Sequence, residues 1–137
     1  MHFNFGEDGV GRRSVTYRSG DSEKLMLTEV GSDLYRLEES SFAGDAVYGD
    51  TIRAERSSDG VLIFREIAQR SPLVTQSWIL SEDVLASESI KQILAAVINA
   101  GGMWEQAFGG LLMIHAPDSI AQTTFDEIAR RAKIQAS

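Results

Sequence analysis

The sequence predicts an α+β fold, in which a small bent β-sheet or barrel-like unit packs with a β-α-β-β-α sandwich of the split β-α-β, ferredoxin-like kind. Three observations lead to this prediction. Residues 24–80 read as a run of short strands separated by Gly- and Asp-containing turns. Residues 85–101 carry a helical apolar stripe that ends at a double glycine. Two apolar segments joined by a second Gly-Gly follow, and a last amphipathic segment closes the order.

The length and composition indicate one compact domain. The chain has 137 residues, and its 43% hydrophobic and 24% charged residues are typical of a globular protein and not of a disordered tail. We therefore expect a single domain over residues 1–137. Its β-rich half would span residues 1–70, and its α/β sandwich half would span residues 71–137.

The β-rich half is predicted from short strands and turn residues. Residues 1–5 alternate weakly, which suggests an edge strand, and the Gly-rich residues 6–11 suggest a loop. The segment Gly31-Ser32-Asp33 suggests a hairpin connection, and residues 40–50 suggest irregular structure with two Gly-Asp turns. The further predicted strands are residues 25–30, 34–37, 51–55, 61–68 and 75–80. Strands this short and closely spaced favour a bent sheet or small barrel, which removes open edges.

The first helix of the sandwich half is predicted from its spacing. Ser87 is placed to cap it and Gly101 to end it in a left-handed conformation. Its apolar residues recur at i, i+3, i+4, i+7 and i+8 and would form one buried stripe: Ile90, Ile93, Leu94, Val97 and Ile98. A stripe of this width is expected to lie on a sheet.

The rest of the sandwich half follows from turn and capping residues. Strands are expected over residues 103–108 and 111–115, joined by Gly109-Gly110 as a two-residue hairpin turn. Asp118 or Ser119 is placed to cap the last helix. The buried face of that helix is expected to contain Ala121, Phe125, Ile128 and Ala132.

Charge and composition exclude several functions. The net charge is −7, which argues against nucleic-acid binding and would suit a basic partner. Cysteine is absent, so thiol catalysis, disulfides and cysteine metal sites are excluded. The chain shows no signal-peptide pattern at its start and no apolar run of membrane-spanning length. We therefore expect a cytoplasmic protein with no membrane association.

Several motifs fall in the order seen in a bacterial family of uncharacterised proteins. They are Leu34-Tyr35-Arg36-Leu37, Ser41-Phe42, Gly49-Asp50, Asp59-Gly60, Gly101-Gly102, Glu105, Gly109-Gly110-Leu111-Leu112 and Ala116-Pro117. Over residues 24–133 the chain resembles this family, which is known only as a domain of unknown function. It departs at Ser71-Pro72, where the family usually has Ser-Gly followed by Arg. Because most of these motifs are turn residues, the resemblance implies a fold and no activity.

Candidate catalytic and metal-binding residues are few. His115 ends an apolar strand, and no nucleophile or orienting carboxylate stands at a recognisable spacing from it. We therefore expect a histidine at the rim of the sheet with one satisfied nitrogen, and a protein that is not an enzyme. Asp45, Asp50 and Asp59 each lie beside glycine, where turn chemistry explains them without a metal ion. Neither a metal nor another cofactor is predicted.

The acidic residues and one tryptophan suggest a surface for a partner. The predicted partner-binding residues are Asp45, Asp50, Glu82, Asp83, Glu88, Trp104 and Glu105. If exposed, Trp104 would be an anchor. The preferred function is a non-enzymatic acidic binding protein, most concretely an immunity protein that neutralises a basic bacterial toxin domain. The alternatives are a small-molecule-binding or regulatory domain with a pocket between the halves, and an enzyme using His115 and carboxylates.

Overall fold

A computed structural model describes residues 10–136, with side chains through residue 132. The described residues form eight strands and three helices. These are β1 (Val10–Thr16), β2 (Ser22–Gly31), β3 (Leu34–Leu37), β4 (Thr51–Arg56), β5 (Leu62–Gln69), β6 (Val74–Ile79), α1 (Glu82–Leu85), α2 (Glu88–Asn99), β7 (Met103–Ala107), β8 (Leu111–Ala116) and α3 (Asp118–Ala136). The chain divides into two compact units, Met1–Ser71 and Pro72–Ser137.

The first unit is a closed five-stranded barrel. Its strands follow one another as antiparallel neighbours from β1 to β5, and a short parallel pairing of Val15 with Leu62 closes the ring. The interior is filled by Val15, Leu25, Leu27, Tyr35, Leu37, Ala46, Ile52, Ala54 and Leu62. Closure pairs the edges that five short strands would otherwise expose. The prediction of a bent or barrel-like β unit is confirmed.

The turns of the barrel largely follow the sequence prediction. Ser32 and Asp33 connect β2 to β3, and Asp33 adopts a φ of 59°, a left-handed conformation that Asp tolerates in turns. Residues 40–50 contain no strand. The prediction of a loop through residue 11 is wrong at its end, because Val10 and Gly11 pair with β2. The predicted strand at residues 1–5 lies outside the described residues.

The second unit is a three-stranded sheet with helices on one face. The strand order is β6-β8-β7, so β8 lies between two strands that both run antiparallel to it. Helices α2 and α3 pack against this sheet. The core between them contains Leu80, Ile90, Leu94, Val97, Leu112, Ile114, Ala116, Ala121, Phe125 and Ile128. This order confirms the α+β fold and the split β-α-β arrangement.

Helix α2 has the predicted ends but a narrower buried face. The Ser87 side chain accepts a hydrogen bond from the Ile90 amide at 3.4 Å, and Gly101 has a φ of 95°. Ile90, Leu94 and Val97 are buried, as predicted, but Ile98 is 45% exposed. At about 100° per residue, Ile98 points roughly 80° away from Ile90, which places it on the flank of the helix.

Two local features of the second unit differ from the sequence prediction or were absent from it. The β7–β8 loop has three residues, because Phe108 takes a φ of 51° and joins Gly109 and Gly110 in the turn. A Cβ atom on Gly110 would lie 2.7 Å from the Leu80 carbonyl oxygen, so this position requires glycine. The short helix α1, which the Ser81 side chain caps, precedes α2 and was not predicted.

The buried stripe of α2 can be tested by truncating its centre. We expect Leu94→Ala to lower the free energy of unfolding by about 2–5 kcal/mol, because it removes buried methyl groups and leaves a cavity. Ile98→Ala is the matched control on the exposed flank and should change stability by less than about 0.5 kcal/mol. Urea denaturation would measure both, and equal effects of the two variants would contradict this packing.

Candidate functional site

His115 lies at the centre of a polar cluster that spans all three strands of the second unit. Thr75 on β6 is directly opposite His115 in the sheet register. Glu105 on β7 is opposite Met113, two residues before His115 on β8. Because side chains alternate between the two faces of a strand, all three point to the face opposite the helices.

Both ring nitrogens of His115 have close partners. Nδ1 lies 2.7 Å from the Thr75 hydroxyl oxygen, and Nε2 lies 2.6 Å from Oε2 of Glu105. The His115 side chain is 0% exposed. The prediction of a rim histidine with one satisfied nitrogen is therefore wrong. Its partners lie 40 and 10 residues away along the chain and meet it only through strand pairing.

The order hydroxyl, imidazole, carboxylate is also that of a nucleophile, its general base and an orienting group. With an ionised Glu105 and a neutral imidazole, Nε2 donates to the carboxylate and Nδ1 accepts from the Thr75 hydroxyl. Every polar atom of the ring is then satisfied inside the sheet. Because the ring is fully buried, this arrangement primarily ties the three strands together on one face.

Three of the predicted partner-binding residues gather where α1 and α2 begin. Glu82 and Asp83 occupy the first turn of α1, and Glu88 occupies the first turn of α2. We call these three exposed residues the acidic edge. Within residues 10–132, none of the three forms an ion pair, whereas many barrel carboxylates do. At the start of a helix the free backbone N–H groups favour negative charge, which suits the acidic residues in these first turns.

Two large apolar side chains are exposed at the end of the sheet from which the chain enters α1. Ile79 is 72% exposed at the end of β6, and Phe108 is 79% exposed in the β7–β8 loop. The Leu80 amide donates to the Gly110 carbonyl at 2.9 Å, which holds the two positions at the same end of the sheet. We call Ile79 and Phe108 the apolar tip. The sequence did not predict this tip, because Ile79 was expected within the strand of residues 75–80 and Phe108 within the strand of residues 103–108.

Asp45 and Asp50, predicted with the acidic edge, lie in the barrel unit and differ in exposure. Asp45 is exposed. Asp50 is 1% exposed, and its carboxylate accepts hydrogen bonds from the Ser71 amide at 2.7 Å and from Arg70 at 3.1 Å. The Asp50 carboxylate therefore holds the Ser71 backbone and the Arg70 side chain in place. Because it is buried, Asp50 offers no surface charge, which corrects its assignment to a partner-binding surface.

Trp104 and Glu105 also differ from the expected surface residues. Trp104 is half-buried and packs against the helix core. It lines a cavity of about 460 Å³ together with Leu85, Lys91, Leu94, Ala95 and Gln106. It therefore forms part of a cavity wall and does not protrude as an anchor. The Glu105 carboxylate is directed to His115 and is not available as a free surface charge.

A second polar cluster lies in the barrel. The Tyr17 hydroxyl donates to the Glu23 carboxylate at 2.5 Å and lies 3.0 Å from the Ser41 hydroxyl, which also contacts Glu23. The Phe42 amide donates to the same carboxylate at 3.1 Å. Burial, followed by the hydrogen bond to Glu23, raises the pKa of Tyr17 well above its usual range. The cluster ties the irregular segment after β3 to the barrel wall.

No three histidine, aspartate or glutamate side chains within the described residues gather closely enough to hold a metal ion. Among those same residues, the helices are too short or too polar to span a bilayer.

We expect His115→Ala to lower the free energy of unfolding by about 2–4 kcal/mol, because it leaves a cavity and removes two buried hydrogen bonds. Thr75→Val is the milder control, since it removes one hydroxyl and should cost about 1 kcal/mol. Urea denaturation distinguishes these values, and a His115→Ala protein as stable as the wild type would contradict a structural role for the cluster.

The raised pKa of Tyr17 predicts a loss of stability at alkaline pH. Below about pH 10 the tyrosine is protonated in both states, and its contribution is complete. Above that pH the unfolded tyrosine ionises while the folded one stays protonated, so stability falls as pH rises. Denaturation of the wild type and Tyr17→Phe from pH 8 to 11 would measure this, and parallel curves would refute it.

Comparison with known proteins supports the fold alone. No protein-family model matches the chain, and no curated protein matches it significantly. The chain is similar in structure to a hypothetical protein from Neisseria gonorrhoeae known from a crystal structure. The match has a TM-score of 0.62 at 16% sequence identity and covers 90% of this chain and 89% of the other. At that identity the likeness establishes a shared α+β architecture with a hypothetical bacterial protein.

Proposed function

We propose that this protein is a non-enzymatic binding protein that docks a basic partner on its second unit. The observation that carries this proposal is that the exposed apolar tip lies at the end of β6, from which the chain enters α1 and the acidic edge. Only Leu80 and Ser81 separate Ile79 from Glu82 along the chain. An apolar centre with a charged rim is the usual composition of a protein-docking surface.

The acidic edge and the apolar tip would affect different rates of binding. Carboxylates at a rim mainly steer a partner of opposite charge and so raise the association rate. An exposed aromatic side chain that becomes buried mainly slows dissociation. The barrel unit has exposed acids as well, but many of its carboxylates are paired with arginines, which weakens its field.

The most concrete form of the proposal is an immunity protein that neutralises a bacterial toxin domain. A toxin that acts on nucleic acid needs a basic surface, and a small protein of net charge −7 is suited to cover one. The resemblance to an uncharacterised bacterial family contributes no activity to this proposal. The partner sought is therefore a basic protein encoded beside this one.

A second candidate function is a hydrolase in which Thr75 is the nucleophile, His115 its base and Glu105 the orienting group. The favourable observation is the exposed Thr75 beside a fully buried imidazole. A purified wild-type protein that hydrolyses model esters, with a loss of a hundredfold or more in a folded Thr75→Val variant, would establish this function in place of the binding proposal.

The binding proposal predicts charge-steered association with the product of a neighbouring gene, first identified by co-expression. Neutralising the acidic edge with Glu82→Gln, Asp83→Asn and Glu88→Gln should slow association roughly tenfold or more at low salt and flatten its salt dependence. Phe108→Ala should instead shorten the lifetime of the complex. Surface plasmon resonance across a range of ionic strength measures both rates.

Matched control variants distinguish the effect of where the carboxylates lie from the effect of the change in net charge. Glu29→Gln, Asp33→Asn and Asp126→Asn also remove three exposed carboxylates, and Phe42→Ala truncates an exposed aromatic residue of the barrel unit. These variants should change the association and dissociation rates little. A wild-type association rate that is insensitive to salt, or equal effects of the two charge sets, would contradict the proposal.

A further inference from the structure

Among residues 10–136, strand β6 forms an outer edge of the second-unit sheet. The amide of Leu80, the residue after β6, donates a hydrogen bond to the carbonyl of Gly110, the residue before β8. The N–H of Leu80 therefore points toward β8. In an antiparallel ladder, the N–H and C=O of one residue point to the same side, and successive residues alternate. Gln76 and Trp78 therefore bond to β8, whereas the backbone groups of Thr75, Ser77 and Ile79 point outward.

This edge lacks the features that usually prevent pairing with another chain. The sequence of β6 is Val-Thr-Gln-Ser-Trp-Ile, which contains no charge, proline or glycine. Five of its six residues are exposed, and only Trp78 is half-buried. The other edge strand, β7, is one residue shorter, and the barrel strands close on themselves. An uncharged, exposed edge of this kind is a template for an added strand.

We propose that the outer edge of β6 binds an extended segment of the basic partner, which adds to the sheet as a fourth strand. This inference rests on the proposed function and specifies how the partner is recognised. The outward backbone groups of Thr75, Ser77 and Ile79 would bond to the partner's backbone, while Ile79 contacts an apolar side chain of that segment.

Charge decides which kind of occupant fits this edge. Glu82 and Asp83 follow β6 closely, so a lysine or arginine flanking the added strand would meet carboxylates that have no ion-pair partner within residues 10–132. A second copy of this chain would bring another net charge of −7 and a second acidic edge. Electrostatics therefore favour a basic segment over self-association.

The test uses the full-length protein and a displayed library of random peptides of about twelve residues. Peptides that it enriches are synthesised, and their affinities are measured by fluorescence anisotropy. Ser77→Pro removes an outward amide and leaves the β6–β8 ladder intact, since proline is tolerated where the N–H faces solvent. Ser77→Ala is the matched control that keeps the amide.

We expect enriched peptides to be basic and β-prone, and to bind Ser77→Pro at least about tenfold more weakly than Ser77→Ala. The same peptides with N-methyl groups at alternate positions should also bind the wild type weakly. That comparison decides the question even if Ser77→Pro does not fold.

Three other outcomes would overturn the inference, and they differ in whether the proposed function would still hold. Peptides that depend on the acidic edge but tolerate Ser77→Pro and N-methylation would leave the proposed function and remove strand addition. No enrichment of basic peptides would count against both. A dimer in sedimentation that Ser77→Pro abolishes would identify a second copy of the chain as the occupant of this edge.

Discussion

The pairing of β8 with β6 on one side and β7 on the other is the interaction on which the second unit depends. One face of β8 presents Leu112, Ile114 and Ala116 to the helices, and all three are buried. The opposite face carries His115, whose two nitrogens contact Thr75 and Glu105 on the neighbouring strands. The same register therefore builds the apolar core on one face and the polar cluster on the other.

This pairing also accounts for the surface to which we assign function. A β-α-β-β-α order provides only three strands, so β6 keeps an outer edge with outward backbone groups. The Leu80–Gly110 hydrogen bond places the β7–β8 loop, which carries Phe108, at the end of β6. The chain then turns directly into α1 and α2, whose first turns carry the acidic edge. Backbone pairing, apolar contact and charge thus meet at one end of the second unit.

The sequence predicted those parts of the fold that depend on local patterns. The stripe of α2, its Ser87 cap and its Gly101 end were correct because a helix periodicity and its capping residues are local signals. Ile98 was misassigned because an i+8 position drifts to the helix flank. The α+β order followed from the alternation of strand and helix patterns.

The candidate site was harder to predict because its contacts are not local. Thr75 reaches His115 only through the register of β6 against β8, which no spacing in the sequence reveals. Asp50 was assigned to the surface from its Gly-Asp turn, yet the backbone amide of Ser71 and the Arg70 side chain surround its carboxylate. Gly109-Gly110 suggested a two-residue turn, but the loop has three residues. The third is Phe108, which the loop leaves exposed.

Site-resolved hydrogen–deuterium exchange of the amides of residues 75–80 can establish whether the outer edge of β6 is unpaired in the free protein. In the free protein we expect slow exchange for Gln76, Trp78 and Leu80, whose amides face β8, and fast exchange for Thr75, Ser77 and Ile79. Protection of this second set should appear only when a partner segment binds. Slow exchange of all six amides in the free monomer would show that the edge is already covered, and would contradict strand addition at β6.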